Sequence, residues 1–265
     1  MIKKLIKNQT TLLFVSSLVG VGLGLISSIL NTRFLSPQEY GDYRYVYNII
    51  SFISSLLLFG YFVSGCRLLA VSKDSGLNKR INGAMLIILV ITVAIICIAM
   101  IVGSLIQDSF NTSVSYLFLV SLPVCGAPLI LNYINTTFQG ENRIKELSIA
   151  RLLPYLVYIP LGYIWYSSYG SSATTLMLLQ NGCAIAIYLL LIFHLRPSFK
   201  NLKPIFELLK KENREYGFHV YVGSVLAVSL GYVSGITLGI FEENNVDVGF
   251  YTLALTVAAP LMLLP

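Results

Sequence analysis

Three arginines stand out for the chemistry they could do. Arg33, Arg67 and Arg151 each lie at the end of a long apolar run. A guanidinium is always charged and can grip two oxygens of a phosphate or carboxylate at once. At the end of an apolar run it can equally snorkel to a membrane surface or anchor a helix. For Arg33 an ion pair with Glu39 or Asp42 is a further reading. Asn132, Asn135 and Gln139 could hydrogen-bond ligand hydroxyls or contact neighbouring helices. Tyr133, Tyr155 and Tyr158 could stack on a ring or belong to an interfacial belt, whereas tyrosines nearer the run ends read as belt residues.

Other reactive residue types read more plainly. His194 and His219 sit at run ends, as interfacial histidines do. Cys66, Cys97, Cys125 and Cys183 lie in or beside apolar runs without CxxC spacing, and read as small buried hydrophobes more than as metal ligands or disulfides. No GxxxxGK[ST], HExxH or nucleophile elbow occurs. No catalytic residue, metal or cofactor is expected.

The elements that must position these residues are membrane helices. Hydrophobic residues make up 56% of the chain and charged ones 11%, against about 25% charged in a typical soluble domain. Mean hydropathy is +0.77. Lipid must solvate the excess apolar surface. Spans of about 20 apolar residues are expected at Thr11–Leu30, Tyr45–Leu69, Gly83–Ile106, Val114–Phe138, Ile149–Ser167, Ala173–Leu195 and Phe218–Ile240. An eighth starts near Gly249 and stops at Pro265, abruptly enough to read as a truncated chain. Gly20, Gly22 and Gly24 would allow close helix approach in the first span. Pro123, Pro128, Pro154 and Pro160 would kink the fourth and fifth.

All but two of the 18 lysines and arginines fall on alternate loops that share one side, the exceptions being Arg33 and Arg44. That bias places the N-terminus in the cytoplasm and explains the net charge of +6 without nucleic acid. The longest loop, Arg196–Tyr216, is cytoplasmic, and Pro204 can open an amphipathic helix on the membrane face there. The opposite loops are too short for a catalytic domain.

Asn31–Tyr43 (NTRFLSPQEYGDY) links the first two spans, and its core returns as Asp247-Val248-Gly249-Phe250-Tyr251. In both places an acid, any residue, Gly, any residue and Tyr lead into an apolar helix. Gly41 and Gly249 lie 208 residues apart, on the same side of the membrane. An even number of spans between the copies preserves orientation, so two halves would be related by an axis along the membrane normal. The expected organisation is a six-helix lobe (1–195), a connector (196–216) and the start of a second, pseudo-two-fold-related lobe (217–265).

The stretch Arg33–Tyr43 (RFLSPQEYGDY), with Pro37 and Gly41, resembles the segment after helix one of the polysaccharide (Wzx-type) flippases of the multidrug/oligosaccharidyl-lipid/polysaccharide exporter superfamily. Tyr133–Arg143 (YINTTFQGENR) is similar to that family's exit from helix four. Leu238-Gly239 with Val248–Ala254, including Gly249 and Tyr251, resembles its helices seven and eight. The similarity covers essentially the whole chain, although such proteins have two complete lobes.

The resemblance implies a non-enzymatic flippase in a prokaryotic plasma membrane. It would move oligosaccharide on a polyprenyl diphosphate from the cytoplasmic to the outer leaflet, by two lobes rocking about a cationic cavity. Partners would be that substrate, membrane lipid and envelope polysaccharide assembly proteins. An anion crossing hydrocarbon needs cations in a wet cavity, which gives Arg33, Arg67 and Arg151 substrate roles, with Asn132, Asn135, Gln139, Tyr133 and Tyr155 as weaker contacts. A cation or drug antiporter would instead rely on buried acids, and none is expected in the middle of the first seven spans. An envelope glycan polymerase or ligase would need a large outer loop.

Overall fold

The computed structural model describes residues 9–107, 112–242 and 244–260. Lys3, Lys4, Lys7, Asp108, Glu243 and the eighth helix beyond residue 260 lie outside the described residues.

Every regular element among the described residues is helical. In chain order they are α1 (Gln9–Phe34), α2 (Pro37–Leu56), α3 (Tyr61–Val71), α4 (Ser75–Gln107), α5 (Thr112–Ser121) and α6 (Ala127–Gly140). There follow α7 (Ile144–Tyr169), α8 (Ala173–Leu195), α9 (Lys203–Glu212), a π-helical turn (Asn213–Gly217), α10 (Phe218–Phe241) and α11 (Val246–Ala258). Thr11–Phe34, α4, α7, α8 and the continuous stretch Lys203–Phe241 are long and apolar enough to cross a membrane. With α2 and α3 counted together as one bent crossing, the chain is an all-α polytopic membrane protein. Much of the surface carries large apolar side chains, as lipid-facing helices must, among them Ile29, Leu105, Leu190 and Leu230.

The expected second span starts earlier and is broken. Ser36 caps α2: its hydroxyl accepts from Glu39 N at 3.2 Å, and Glu39 Oε2 accepts from Ser36 N at 3.1 Å. With Pro37 in the first turn this capping box starts the helix eight residues before Tyr45. The helix therefore takes in Asp42, which is buried. α2 and α3 are bent by 59° at Leu57–Gly60, where Phe59 and Gly60 have φ of 45° and 78°. The expected fourth span is likewise two helices, α5 and α6, separated by turns around Pro123, and each falls short of spanning length.

The expected amphipathic helix forms, with Pro204 in its first turn and Ile205 and Leu209 buried. Leu208 is exposed. α9 runs through the π turn into α10 as one 39-residue stretch. α6 is the central post, packed on α3, α4, α7 and α8. Tyr133 is fully buried there, donating to the Asn82 carbonyl at 3.2 Å and meeting Phe62 edge-on. At the chain's basic end Gly140 packs beneath the Cys66 carbonyl; a Cβ would stand 2.7 Å from it, so the Gln-Gly exit of α6 serves close packing.

Candidate functional site

A cavity of about 580 Å³ lies between α1, α2, α6, α7, α8 and α11. Gly20 and Gly24 of α1 line it opposite α7, and a Cβ on either would meet only ordinary contacts, with Leu152 at 3.7 Å and Tyr155 Oη at 3.9 Å. Gly22 faces open space. Gly20 and Gly24 therefore leave room for the cavity, while α1 and α7 still pack closely along their length.

Of the three predicted arginines, Arg151 lines this cavity. Its Nη1 donates to the Ser17 hydroxyl at 2.9 Å, and among the described residues no carboxylate lines the space around it. One hydrogen bond leaves most of the guanidinium's five donors available to a ligand. Arg67 points elsewhere. It pairs with Glu212 at 2.8 Å and lies over the Tyr216 ring at 4.6 Å, tying α3 to the α9–α10 junction. Arg33 is exposed at the end of α1. Its two expected partners are engaged elsewhere, Glu39 in the capping box and Asp42 with Gln38 and Asn245.

The weaker candidates divide in the same way. Asn135 and Tyr155 line the central cavity, Asn132 lines a second cavity of about 240 Å³ beside the α2–α3 bend, and Gln139 is exposed at the end of α6. Asn135 Oδ1 is buried without a hydrogen-bond partner. Tyr47, Tyr158 and Tyr188 complete an aromatic wall with Tyr155. Behind that wall Tyr158 bonds to Asn31 and to Tyr166, and Asn31 Nδ2 donates to Gln180 Oε1 at 3.2 Å. The network fixes two cavity residues, Tyr158 and Gln180, from behind. Among the described residues the cavity is thus apolar and aromatic with one free cation and several neutral hydrogen-bonding groups, a composition suited to an anionic, hydroxylated, partly apolar ligand.

Arg44 is the residue that sequence reasoning passed over. Its Nε and Nη2 both donate to Tyr40 Oη, at 2.8 and 2.6 Å, and Nη2 reaches the Ser28 hydroxyl at 3.3 Å. Its guanidinium lies over the Tyr40 and Tyr43 rings. Among the described residues it has no carboxylate partner. The signal was present: Arg44 is one of only two basic residues outside the basic loops, and Tyr40 precedes it by one helical turn. The loop count took it for a loop residue because the start of α2 was placed too late.

His194 and His219 are both exposed at helix ends. The cysteines are free, and Cys97 Sγ lies 3.6 Å from Cys125 Sγ. Among the described residues no group of His, Cys, Asp or Glu is arranged to hold a metal ion.

A bundle of broken and continuous membrane helices around a largely apolar internal cavity with a few polar groups defines a polytopic membrane protein of the transporter class. The family described as polysaccharide biosynthesis protein matches residues 6–264. The chain belongs to that family, which is the family of the Wzx-type polysaccharide flippases it resembles. No curated protein and no solved structure matches the chain.

Proposed function

We propose that this protein is a flippase that moves oligosaccharide repeat units on a polyprenyl diphosphate from the cytoplasmic to the outer leaflet of a prokaryotic plasma membrane. It makes and breaks no bond. The observation that carries this reading is the Arg151 guanidinium, held by one serine hydroxyl in a cavity that has no lining carboxylate among the described residues. A free cation in a low-dielectric cavity attracts an anion strongly, and the diphosphate is the anion the family's substrates supply. The neutral amides and tyrosines beside it match sugar hydroxyls and ring faces.

The positive-inside bias puts the Arg151 end of the cavity on the cytoplasmic side, where repeat units are built. Residues 1–195 form one lobe, 196–216 the connector, and 217–265 begin a second lobe that rocks against the first. A cation antiporter fits less well, because the cavity would repel its cargo.

The test uses the full-length gene product in a strain deleted for it, assaying surface polysaccharide and the lipid-linked repeat units in each leaflet. Loss of surface glycan with complete units trapped in the cytoplasmic leaflet is the expected result. Single units that reach the outer leaflet and stay unpolymerised would overturn the reading in favour of a polymerase.

A further inference from the structure

The two copies of the acid-x-Gly-x-Tyr motif meet in space. α2 and α11 cross where Gly41 faces the turn before α11. A Cβ on Gly41 would stand 1.9 Å from the Asn245 carbonyl oxygen and 2.5 Å from its carbon. A Cβ on Gly249 would come no closer than 3.3 Å, to the Gly41 backbone and the Tyr40 ring. Backbone therefore lies on backbone at Gly41, with no flexible side chain that could yield, whereas at Gly249 the neighbours would have to give by only a few tenths of an ångström.

Beside the crossing Asp42 is buried, and its Oδ1 accepts from Asn245 Nδ2 at 2.7 Å and from Gln38 Nε2 at 3.1 Å. Asn245, itself buried, thus bonds to α2 through its side chain while its carbonyl accepts from Gly249 N and starts α11. One residue joins the two motif copies. Below the crossing both helices continue along the central cavity, α2 contributing Tyr47 and α11 contributing Thr252, Leu255 and Thr256. The helices touch at the end away from the basic loops, and the cavity lies between them further in.

We propose that this crossing is the outer seal of the cavity, and that Gly41, Asp42 and Asn245 are positioning residues for transport through it. The repeated motif is present twice because each copy supplies one side of the seal. Opening to the outside requires α11 to leave the hollow at Gly41 and the Asn245 amide to leave Asp42. Any side chain at Gly41 holds the helices apart. The inference rests on reading the cavity as the transport site and adds to it the element that closes it.

The test needs no substrate, so its failure is distinguishable from failure of the flippase reading. Thr256→Cys is placed in the full-length protein with every native cysteine replaced, and a membrane-impermeant maleimide is applied to right-side-out or inside-out vesicles. The parent should label from the cytoplasmic side and be protected from the outside. Gly41→Ala should raise outside labelling by about tenfold, a shift of the population toward the open form. Asn245→Ala keeps the carbonyl and removes the amide, and should raise labelling less. Gly249→Ala, whose Cβ needs its neighbours to give by only a few tenths of an ångström, should raise labelling well below the Gly41→Ala level. If Gly41→Ala and Asn245→Ala both label like the parent, in membranes where each is present and reactive from inside, the crossing is not the seal. Equal effects of Gly41→Ala and Gly249→Ala, or a parent already open to the outside, would overturn the proposal as well.

Discussion

Replacing Arg151 by alanine should abolish most transport while leaving the protein folded. The guanidinium makes one hydrogen bond, to the Ser17 hydroxyl at 2.9 Å. Losing a single bond of that kind costs on the order of 1 kcal/mol of stability. A diphosphate gripped by the same guanidinium would lose about 1.5–3 kcal/mol of binding, because charged hydrogen bonds are the strong ones. That corresponds to roughly 10- to 150-fold in affinity. Arg151→Lys keeps the charge but not the planar fork, and should fall between wild type and alanine. The assay is the deletion strain rescued with each variant, scored for surface polysaccharide, for repeat units in the cytoplasmic leaflet and for carrier present in the membrane. Wild-type export by Arg151→Ala at equal protein level would refute the argument, since the cavity would then work without its cation.

Arg67→Ala should export normally: its bridge to Glu212 is half exposed on the arginine side, and such a pair contributes about 0–1 kcal/mol, so a small drop in detergent melting temperature is the expected readout. Gly60→Ala should destabilise far more, because φ is 78° and a Cβ would stand 2.5 Å from the Gly217 backbone; thermal unfolding in detergent checks it. Tyr158→Phe removes the hydroxyl that bonds to Asn31 and Tyr166. Unmet buried partners cost about 1–3 kcal/mol, so the variant should melt earlier and export less, and parity with wild type in both would count against the network.

Helix existence was legible because apolar runs of spanning length leave no alternative in lipid. The positions of the breaks were not. Leu57–Gly60 holds a single glycine within an apolar run, and its bend depends on Gly217, more than 150 residues away in sequence. The capping box was visible as Ser36 and Glu39, yet the start of α2 was set by hydropathy, which hid Arg44 and Asp42 inside the helix. The repeated motif was legible as a pattern, but the contact between its two copies was not, because spacing along a chain carries no information on crossing points. Among the arginines, the sequence marked three residues at run ends for the same role and favoured Arg33 over Arg67 and Arg151. Only side-chain direction separates Arg151, facing the cavity, from Arg67, occupied by Glu212.

The π turn at Asn213–Gly217 has a consequence for how this chain can vary. Asn213 Nδ2 donates to the Phe59 carbonyl at 3.0 Å, its Oδ1 lies 3.2 Å from the Ser64 hydroxyl, and Tyr221 bonds to the Leu56 carbonyl one turn into α10. The wide turn accommodates one residue more than an α-helical turn would. Deleting a single residue there would restore regular α-helix but turn everything after it by about 100° relative to α9. Tyr221 would leave the bend in the second crossing, and the alignment of α10 against α2 would shift with it. The turn acts as a phase setting between the amphipathic helix α9 and the crossing it feeds, so single-residue insertions and deletions at 213–217 should be among the least tolerated length changes in the chain.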